Sequence, residues 1–446
     1  MTHYDFDVIV IGTGVAGQTV AEELAAAGKR VAAVDRREFG GTCALRGCEP
    51  KKVLFSVVQA AENARAASGN GLTGEVGVDW PELVAFKRTF TDPASSQIES
   101  AITGSGARAL HGTVRFVDAD TVEVDGEPFT AEHIVIATGA VPRPLGIPGD
   151  ELAITSEQFM AAETIGRRSV FIGGGYISFE FAHMAAAAGS QVTIVHSGPQ
   201  VLAGFDPQLA DMLAKGYRES GIDVRTDSPV SAIERASDGL VVVLGDGSLV
   251  ECDTAVHGAG RVPDLDALDL TAGSVSFSPR GVEVDERMRS VTNPRVWAAG
   301  DAAASGAPLT PVGILQARVI VRNILGDETA VFAPLAVPSV VFSNPPMATV
   351  GLTEEQAARQ GADVEVKFSD TSSWMSSRRL GVRVGGAKVL VERESGRIVG
   401  AHLLGPHADE MINVFAAAIE GGLTAHQIRS MLWAYPTSGA EIVYLV

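Results

Sequence analysis

Two of the three cysteines, Cys43 and Cys48, lie five positions apart in residues 40–52. A glycine pair precedes them, and the apolar sequence that follows predicts a helix from Cys48 to about Ala67. Two thiols on the first turns of a helix can close a small, strained and therefore redox-labile disulfide, and a helix N-terminus with lysines nearby lowers a thiol pKa. Two buried cysteines or half of a metal site are the alternatives, but Cys252 stands alone in a predicted strand without a second ligand pair. The spacing therefore predicts redox chemistry.

An apolar strand at residues 7–11 leads directly into a Gly-x-Gly-x-x-Gly sequence at residues 12–17. A helix follows, and then a second strand that ends in an acid. This order is typical of a dinucleotide-binding unit, in which the glycines permit a tight turn, admit the pyrophosphate and let the helix pack on the strand. The terminal acid accepts hydrogen bonds from the adenosine ribose. The residues assigned to this cofactor are Gly12, Gly14, Ala16, Gly17 and Asp35.

A second unit of the same kind occupies residues 168–196, where Ser178 replaces the third glycine and is small enough for close packing. His196 takes the position of Asp35, since each lies 21 residues after the middle glycine of its loop. A carboxylate at this position repels the 2′-phosphate of NADPH, so His196 favours NADPH over NADH without supplying an anchor. The alternative is that His196 is a solvated strand end. The residues assigned to the nicotinamide nucleotide are Gly173, Gly175, Tyr176, Ile177 and His196.

Together these motifs resemble the class I pyridine nucleotide-disulfide oxidoreductases, the family of glutathione reductase, dihydrolipoamide dehydrogenase and mercuric reductase. The resemblance rests on the run Gly-Gly-Thr-Cys, four residues, Cys-x-Pro-x-Lys at residues 40–52, and on a second FAD fingerprint at residues 292–301. It implies an α/β fold with two Rossmann-like FAD and NAD(P) domains plus an α+β dimerisation domain. The implied boundaries are 1–148 and 259–330 for the two parts of the FAD domain, 149–258 for the NAD(P) domain and 331–446 for the dimerisation domain.

The resemblance also implies a reaction in which hydride passes from the nicotinamide to FAD, then to the Cys43–Cys48 disulfide and then to a substrate disulfide. Cys48 is expected against the flavin as a thiolate, and Cys43 is expected to attack the substrate. Lys52 matches the family lysine near the flavin, and Glu180 matches its carboxylate partner. Further cofactor contacts are expected from Gly41, Thr42, Thr138, Gly139, Gly260, Arg261, Gly300, Asp301 and Thr310.

The C-terminal sequence departs from the family pattern. Relatives carry His-Pro-Thr with a glutamate five residues after the histidine, and one subunit contributes these groups to the other subunit's disulfide. Here the sequence is Tyr435-Pro436-Thr437, with Glu441 six residues after the tyrosine. A histidine titrates near pH 6.5 and a tyrosine near 10, and this gap could weaken proton transfer by up to roughly 4.8 kcal/mol. Either Tyr435 still protonates the leaving thiolate, or the substrate needs little acid catalysis.

The composition of the chain restricts the classes of molecule that it is expected to bind. The chain has 446 residues, 46% of them apolar, and a formal net charge of -19, which argues against nucleic acid and anionic membrane surfaces. No run of eighteen apolar residues occurs, and residues 1–7 lack the regions of a signal peptide. We therefore expect a cytoplasmic protein, in which a catalytic disulfide is more usual than a structural one.

The predicted function is that of a homodimeric FAD-dependent NAD(P)H:disulfide oxidoreductase whose active site is completed by the other subunit's C-terminus. A glutathione-like small disulfide is favoured over lipoamide, because the acid that selects NAD is absent. The alternatives are a dihydrolipoamide dehydrogenase, a flavin reductase of quinones or metal ions, and a redox-sensing binding protein.

Three further features remain open in the sequence. Arg46, beside the cysteines, is hypothesised to face a carboxylate of the substrate, with a local ion pair to Glu49 as the alternative. Residues 372–379, rich in hydrogen-bond donors, are either a substrate rim or ordinary packing. The pattern over residues 81–103 predicts a single, partly amphipathic helix.

Overall fold

The computed structural model describes residues 4–446, so the first three residues of the segment used in the signal-peptide argument lie outside the described residues. The chain divides into two compact units. The first contains the chain up to Val53, Ala85–Arg143 and Arg261–Ala333, and the second contains Leu54–Val84, Pro144–Gly260 and Pro334–Val446. The four domain boundaries expected from the sequence stay a prediction. Between residues 4 and 446, the structure has no helix with the length and apolar character needed to cross a bilayer.

The helices and strands alternate through most of the chain. The helices are α1 Val15–Ala26, α2 Gly41–Arg46, α3 Cys48–Ala66, α4 Trp80–Thr91, α5 Ala94–Gly104, α6 Ser156–Ala161, α7 Tyr176–Ala187, α8 Pro207–Glu219, α9 Thr310–Ile324, α10 Glu354–Gln360, α11 Met375–Arg379, α12 Ala408–Glu420, α13 Ala425–Ser430 and α14 Ile442–Leu445. The strands are β1 Phe6–Ile11, β2 Val31–Asp35, β3 Arg108–His111, β4 Val114–Phe116, β5 Thr121–Val124, β6 Glu127–Ile136, β7 Ala140–Pro142, β8 Ile154–Thr155, β9 Arg168–Ile172, β10 Gln191–Val195, β11 Asp223–Arg225, β12 Val230–Ala236, β13 Gly239–Leu244, β14 Leu249–Cys252, β15 Thr254–His257, β16 Arg261–Pro263, β17 Phe277–Ser278, β18 Gly281–Val282, β19 Val296–Ala298, β20 Ser339–Val341, β21 Met347–Gly351, β22 Val364–Asp370, β23 Gly386–Glu392 and β24 Ile398–Leu404.

The first unit is built on a parallel sheet in which β3, β2, β1, β6 and β19 are neighbours in that order. The antiparallel strands β5 and β4 extend from β6. Strand β1 is almost wholly buried, as expected where helices cover a parallel sheet, and α1 packs against both α5 and α9. The strand order reverses at β1. In such sheets ligands bind beyond the carboxyl ends of the strands at this point.

The second unit contains a parallel sheet with the order β11, β10, β9, β15 and β8. Strand β9 leads through residues 173–175 into α7, which repeats the strand, glycine loop and helix of β1 and α1. A smaller antiparallel sheet consists of β12, β13 and β14, and residues 245–248 form the turn between β13 and β14. Cys252 is fully buried in this part of the unit among Val242, Val250 and Ala255, as a small apolar group.

The C-terminal part of the second unit is a five-stranded antiparallel sheet with the order β20, β21, β24, β23 and β22. Helix α12 packs on β21 and β24, and its inward residues Ile412 and Phe415 join a core with Ala401 and Leu403. An antiparallel sheet with a helix on one face is an α+β layer. The predicted fold class, two Rossmann-like domains plus an α+β domain, is therefore confirmed.

The single helix predicted over residues 81–103 is wrong. The structure has two helices there, α4 and α5, separated by a turn at Asp92 and Pro93. Proline has no backbone N–H to donate to the preceding turn, and its ring clashes with the carbonyl of that turn. The apolar pattern continued through Pro93 because both helices contribute buried residues, such as Leu83 and Ile102.

A buried ion cluster joins α8 to the antiparallel sheet of the second unit. The Lys388 ammonium, on β23, lies 2.8 Å from Oδ2 of Asp206 and 2.6 Å from Oε1 of Glu354. The side chains of Lys388 and Asp206 are 6% and 1% exposed. Asp206 also accepts the Leu209 N–H at 3.1 Å and so caps α8. Because a buried charge is costly without its partner, the two side chains depend on each other.

We expect Lys388→Met to lower the apparent free energy of unfolding by about 3–5 kcal/mol, because Asp206 then stays buried without a counter-charge. Urea unfolding followed by circular dichroism measures this loss. Lys215→Met is the matched control, since its side chain is 76% exposed and lies 3.8 Å from Glu219. This exposed pair should contribute less than about 1 kcal/mol. Equal losses in the two variants would contradict the assignment.

Candidate active site

The two cysteines meet at the N-terminus of a helix contributed by a distant part of the first unit. Cys43 lies on the short helix α2, and Cys48 is the first residue of α3. The hydroxyl of Thr310, the first residue of α9, donates to the Cys43 sulfur at 3.4 Å and lies 3.5 Å from the Cys48 sulfur. Both cysteines are in the thiol form, with Cys48 exposed and Cys43 partly buried. The positive end of α9 therefore lies beside both sulfurs, where it stabilises a thiolate.

The two thiols are coupled through a hydrogen bond. The pKa of Cys43 is raised far above its ordinary value, first by the hydrogen bond with Cys48, then by burial and by the Cys48 charge. The hydrogen bond from Thr310 acts in the opposite direction and lowers the pKa of Cys43. The reduced pair therefore holds on to one proton, which resides on Cys43 when Cys48 is ionised.

The cysteine segment is pressed against the first glycine loop. Gly41 has φ +63°, and a Cβ there would lie 2.5 Å from the Cα of Gly14. Gly12 has φ +100°, and a Cβ on it would lie 2.3 Å from the carbonyl oxygen of Ala137. Only glycine fits both positions without displacing backbone. This close approach fixes the start of α2, and with it Cys43, next to the loop predicted to hold a pyrophosphate.

Asp35 holds the same loop from the end of β2. Its Oδ2 accepts both the backbone N–H of Thr13 at 2.9 Å and the Thr13 hydroxyl at 2.7 Å, while Oδ1 accepts the N–H of Arg37 at 3.0 Å. A carboxylate offers about four acceptor positions, so one remains for a ribose hydroxyl. Thr13 is fully buried, and its part in the site was missed in the sequence because it fills a variable position of the glycine motif.

Several features of the first unit fit a bound dinucleotide. The hydroxyl of Thr138, just beyond β6, is buried without a hydrogen-bond partner in the described structure. Burial raises the pKa of Asp301 and the nearby Arg261 guanidinium opposes this shift. The N–H of Gly300 is held by the side chain of buried Gln316, at 2.8 Å. A buried hydroxyl and a desolvated carboxyl without full pairing are what a polar ligand such as a ribityl chain satisfies.

The second glycine loop is held by a histidine instead of an acid. Nδ1 of His196 accepts the N–H of Gly174 at 3.1 Å, so Nε2 carries the proton and donates to the carbonyl oxygen of Gln200 at 3.0 Å. Gly174 and Thr13 are corresponding loop residues, and His196 and Asp35 do the same work for them. His196 therefore holds the second loop through hydrogen bonds at both ring nitrogens, and its interpretation as a solvated strand end is wrong. Ser178 packs closely as predicted, since a Cβ on Gly258 would lie 2.2 Å from its Oγ.

The remaining predicted cofactor residues flank these two loops. Thr42 lies on α2, Gly139 follows Thr138 with φ +72°, and Arg261 donates to the carbonyl of Ala140 in the first unit. In the second unit, Tyr176 is the first residue of α7 and 46% exposed, and Ile177 follows it. Gly173 and Gly175 belong to the second loop, and Gly260 lies between β15 and β16. Ala16 and Gly17 lie on α1, after the first loop. These assignments stay predictions.

The predicted catalytic residues outside the cysteine pair lie on several elements. Lys52 lies one turn after Cys48 on α3, and Glu180 is fully buried on α7, where its Oε1 accepts the N–H of Phe342 at 2.8 Å. Arg46 forms an ion pair with Glu38 at 2.9 Å, whereas the sequence suggested a substrate carboxylate or Glu49 as its partner.

The C-terminal residues Tyr435 and Glu441 are not joined by any hydrogen bond found within residues 4–446. Tyr435 is 83% exposed. Oε2 of Glu441 instead accepts the hydroxyl of Ser376 at 2.6 Å; Ser376 lies on α11, within the donor-rich residues 372–379. These residues therefore hold Glu441, and no local sequence pattern indicated this, because the contact spans 65 positions.

Comparison with known proteins decides the family. The profile of the family described as pyridine nucleotide-disulphide oxidoreductase matches residues 6–317, and that of its dimerisation domain matches residues 337–446. The chain belongs to this family. A glutathione reductase from Burkholderia cepacia is 34% identical over 450 residues, covering 100% of this chain and 99% of that protein. A dihydrolipoyl dehydrogenase from Bacillus subtilis (strain 168) is 30% identical, with 97% and 94% covered.

Solved structures agree with this assignment. HOCl-induced flavoprotein disulfide reductase RclA from Escherichia coli superposes with a TM-score of 0.88 at 27% identity, over 98% of each chain. Its Cu(II) complex gives the same TM-score at 26% identity, again over 98% of each chain.

As a member of this oxidoreductase family, the protein is an FAD-dependent enzyme that acts on a sulfur group. Bound FAD would supply the redox chemistry that links a nicotinamide nucleotide to a disulfide. The residues that fit it are those of the first glycine loop together with Asp35, Thr138 and Asp301. Thr310 was predicted as a cofactor residue, and the structure adds that its hydroxyl serves both cysteines.

The coupling between the thiols predicts how Cys43 titrates. In Cys48→Ala the largest cause of the raised pKa of Cys43 is gone, so site-resolved alkylation by iodoacetamide should reach its half-maximal rate at a lower pH. Adding Thr310→Val removes a hydrogen bond to the thiolate and should move this midpoint up again by about one pH unit. Thr310→Ser keeps the hydroxyl and is the control. One midpoint shared by all these proteins would contradict the coupling.

Proposed function

We propose that this enzyme uses NADPH to reduce a small, glutathione-like disulfide in the cytoplasm. The observation that carries the proposal is the meeting of the Cys43 and Cys48 sulfurs at the Thr310 hydroxyl, where one thiolate is stabilised and one proton retained. The overall reaction is NADPH + H⁺ + RSSR → NADP⁺ + 2 RSH. It consumes one proton from solvent in each turnover.

The cysteine pair carries out the exchange. The Cys43 thiolate attacks one sulfur of the substrate, which forms a mixed disulfide and releases the first thiolate. Cys48 then attacks the Cys43 sulfur, which releases the second thiolate and restores the Cys43–Cys48 disulfide. Because Cys43 retains its proton beside Cys48, a base must remove that proton and an acid must protonate the leaving thiolate.

Tyr435 supplies this acid in a homodimer, from the other subunit's C-terminus. Its exposure on the second unit supports the assignment, because a side chain that serves another subunit has to project from its own. The dimerisation-domain match at residues 337–446 supports the homodimer. Glu441 acts with Tyr435 in this proposal, held in place by Ser376.

The preference for NADPH and a glutathione-like substrate follows from His196. It braces the second loop as Asp35 braces the first, but without the negative charge that repels a 2′-phosphate. The similarity to a glutathione reductase over the whole chain points the same way. A dihydrolipoamide dehydrogenase activity is the alternative among disulfide substrates, since a protein of that name is 30% identical.

Reduction of Cu(II) is the second candidate function. One solved relative is a Cu(II) complex of a flavoprotein disulfide reductase, and the histidine of the family acid is absent here. Residues 4–446 contain no group of three or more His, Cys, Asp or Glu side chains that could hold a metal, so the ion would be a substrate of the thiol pair, of which Cys48 is exposed. The reaction NADPH + 2 Cu(II) → NADP⁺ + H⁺ + 2 Cu(I) needs no acid catalyst.

Tyr435→Phe separates the two functions. It should lower kcat for oxidised glutathione by roughly one to two orders of magnitude, because the leaving thiolate loses its proton donor, and leave Cu(II) reduction unchanged. Steady-state oxidation of NADPH with each substrate measures both rates. Tyr444→Phe is the matched control, since Tyr444 is also exposed and close to the C-terminus.

Disulfide turnover that is the same in Tyr435→Phe and in Tyr444→Phe would remove Tyr435 from the mechanism. Cys43→Ser should abolish disulfide turnover. If wild type shows no turnover with any disulfide but reduces Cu(II), the first function is wrong and the second stands.

His196→Asp tests the nucleotide preference. An aspartate still accepts the Gly174 N–H but adds a charge that repels the 2′-phosphate, so the ratio of kcat/KM for NADPH to that for NADH should fall roughly tenfold, about 1.4 kcal/mol. His196→Asn keeps a neutral acceptor and should preserve the ratio. A wild-type enzyme that prefers NADH, or an unchanged ratio in the aspartate variant, would refute the role given to His196.

A further inference from the structure

The hydroxyl of Thr13 joins the acid of the first glycine loop to the segment that carries the cysteines. It donates to Oδ2 of Asp35 at 2.7 Å and accepts the backbone N–H of Gly40 at 3.2 Å. Asp35 is the last residue of β2, and Gly40 is the N-cap of α2, the helix that carries Cys43. One side chain of the loop is therefore bonded to both the predicted ribose acid and the start of the cysteine segment, residues 40–48.

The direction of these two hydrogen bonds is fixed by the atoms that take part. A backbone N–H can only donate and a carboxylate can only accept, so the single hydroxyl proton of Thr13 points toward Asp35. The backbone N–H of Thr13 donates to the same carboxylate oxygen at 2.9 Å. In such a chain each hydrogen bond polarises the next one. The hydrogen bond from Gly40 therefore strengthens the one that Thr13 donates to Asp35, and the reverse also holds.

Burial makes the cysteine segment depend on this hydroxyl. Thr13 has no exposed surface, and Gly40 is buried as well. A buried N–H that loses its acceptor is destabilising, because water does not replace the lost partner. Gly41 also holds the segment, through its close approach to the backbone of Gly14. Of these two contacts, the hydrogen bond to Thr13 is the one that also involves Asp35.

The second glycine loop shows that a hydroxyl is not needed to hold a loop of this kind. Its residue corresponding to Thr13 is Gly174, whose backbone N–H alone is accepted by His196. In the first loop the backbone N–H of Thr13 already makes the equivalent hydrogen bond to Asp35. The hydroxyl therefore adds a connection that the second loop lacks, and the group at its other end is Gly40.

We propose that Thr13 couples the binding of FAD at Asp35 to the position of the cysteine segment. When Asp35 accepts hydrogen bonds from the adenosine ribose, its carboxylate is fixed, and the Thr13 hydroxyl transmits this restriction to Gly40 and so to α2. Such a coupling is reciprocal, so a loosened segment weakens the binding of FAD. Thr13 is a positioning residue that acts through Asp35 and Gly40. The inference uses the predicted role of Asp35 and holds for either proposed substrate.

Thr13→Val in the FAD-loaded enzyme tests the coupling, since valine has the shape of threonine without the hydroxyl. Hydrogen–deuterium exchange at residues 40–47 reports on the segment, and the fluorescence of released flavin reports on the cofactor. Both the exchange rate and the rate of FAD release should rise roughly tenfold, because a buried N–H has lost its acceptor. Exchange at β5, also in the first unit, should stay unchanged.

Two further variants separate the coupling from a general loss of stability. Thr13→Ser keeps the hydroxyl and should restore both rates to near their wild-type values. Thr19→Val is the matched control, because the Thr19 hydroxyl donates to the carbonyl oxygen of Val15 at 2.8 Å, within α1. Its loss removes no hydrogen bond of Asp35 or Gly40, so both rates should match those of wild type.

A change at only one end would overturn the proposal, whether FAD release rises without faster exchange at residues 40–47 or the reverse. So would a Thr13→Ser enzyme that behaves like Thr13→Val. If Thr13→Val retains no FAD, its exchange is compared with that of wild type stripped of FAD, and equal exchange at residues 40–47 would also refute the coupling. None of these measurements uses a disulfide, so failure of the proposed function would appear separately, as absent turnover with the coupling intact.

Discussion

Two sulfur atoms that share one proton are the constraint from which the chemistry of this protein follows. The Cys48 thiol raises the pKa of Cys43, so the reduced pair resists losing a second proton. The hydroxyl of Thr310, at the positive end of α9, lies within hydrogen-bond distance of both sulfurs. Its hydrogen bond to Cys43 partly offsets the rise in the pKa of that thiol. An enzyme built on such a pair needs an acid and a base from other side chains. Where the resemblance leads one to expect the histidine of a His-Pro-Thr sequence, this chain has Tyr435.

The two glycine loops show how one backbone requirement is met with different charges. Each loop presents an N–H that a side chain at the end of the second strand has to accept. Asp35 does this in the first unit and also accepts the Thr13 hydroxyl. His196 does it in the second unit with a neutral ring, whose other nitrogen donates to Gln200. The choice of acceptor therefore changes the charge near a bound nucleotide without changing the loop.

The second unit also handles buried charge in two ways. Lys388 remains ionised because Asp206 and Glu354 lie within 2.8 Å of it. Glu62 and His183 have no such full set of partners, and burial pushes both toward their neutral forms. The first arrangement fixes structure, since each of its buried charges has a partner of opposite sign. In the second, burial raises the pKa of Glu62 and lowers the pKa of His183, so neither group holds its charge as firmly.

The sequence by itself determined the family, the fold class and the positions of the cysteines and glycine loops. These features depend on spacing over a few residues, such as the gap from Cys43 to Cys48 or the strand, loop and helix around Gly14, and local backbone geometry enforces them. The helix predicted from the sequence over residues 81–103 was wrong because one residue, Pro93, interrupts the longer pattern between α4 and α5.

Only the tertiary structure decided which groups share protons and charges. Thr310 reaches the cysteines from more than 260 positions away, Ser376 holds Glu441, and Asn344 approaches Glu62 across 282 positions. The pKa of a group depends on its burial and on the partners that surround it, and both are set by packing between remote segments. No local pattern in the sequence carries that information.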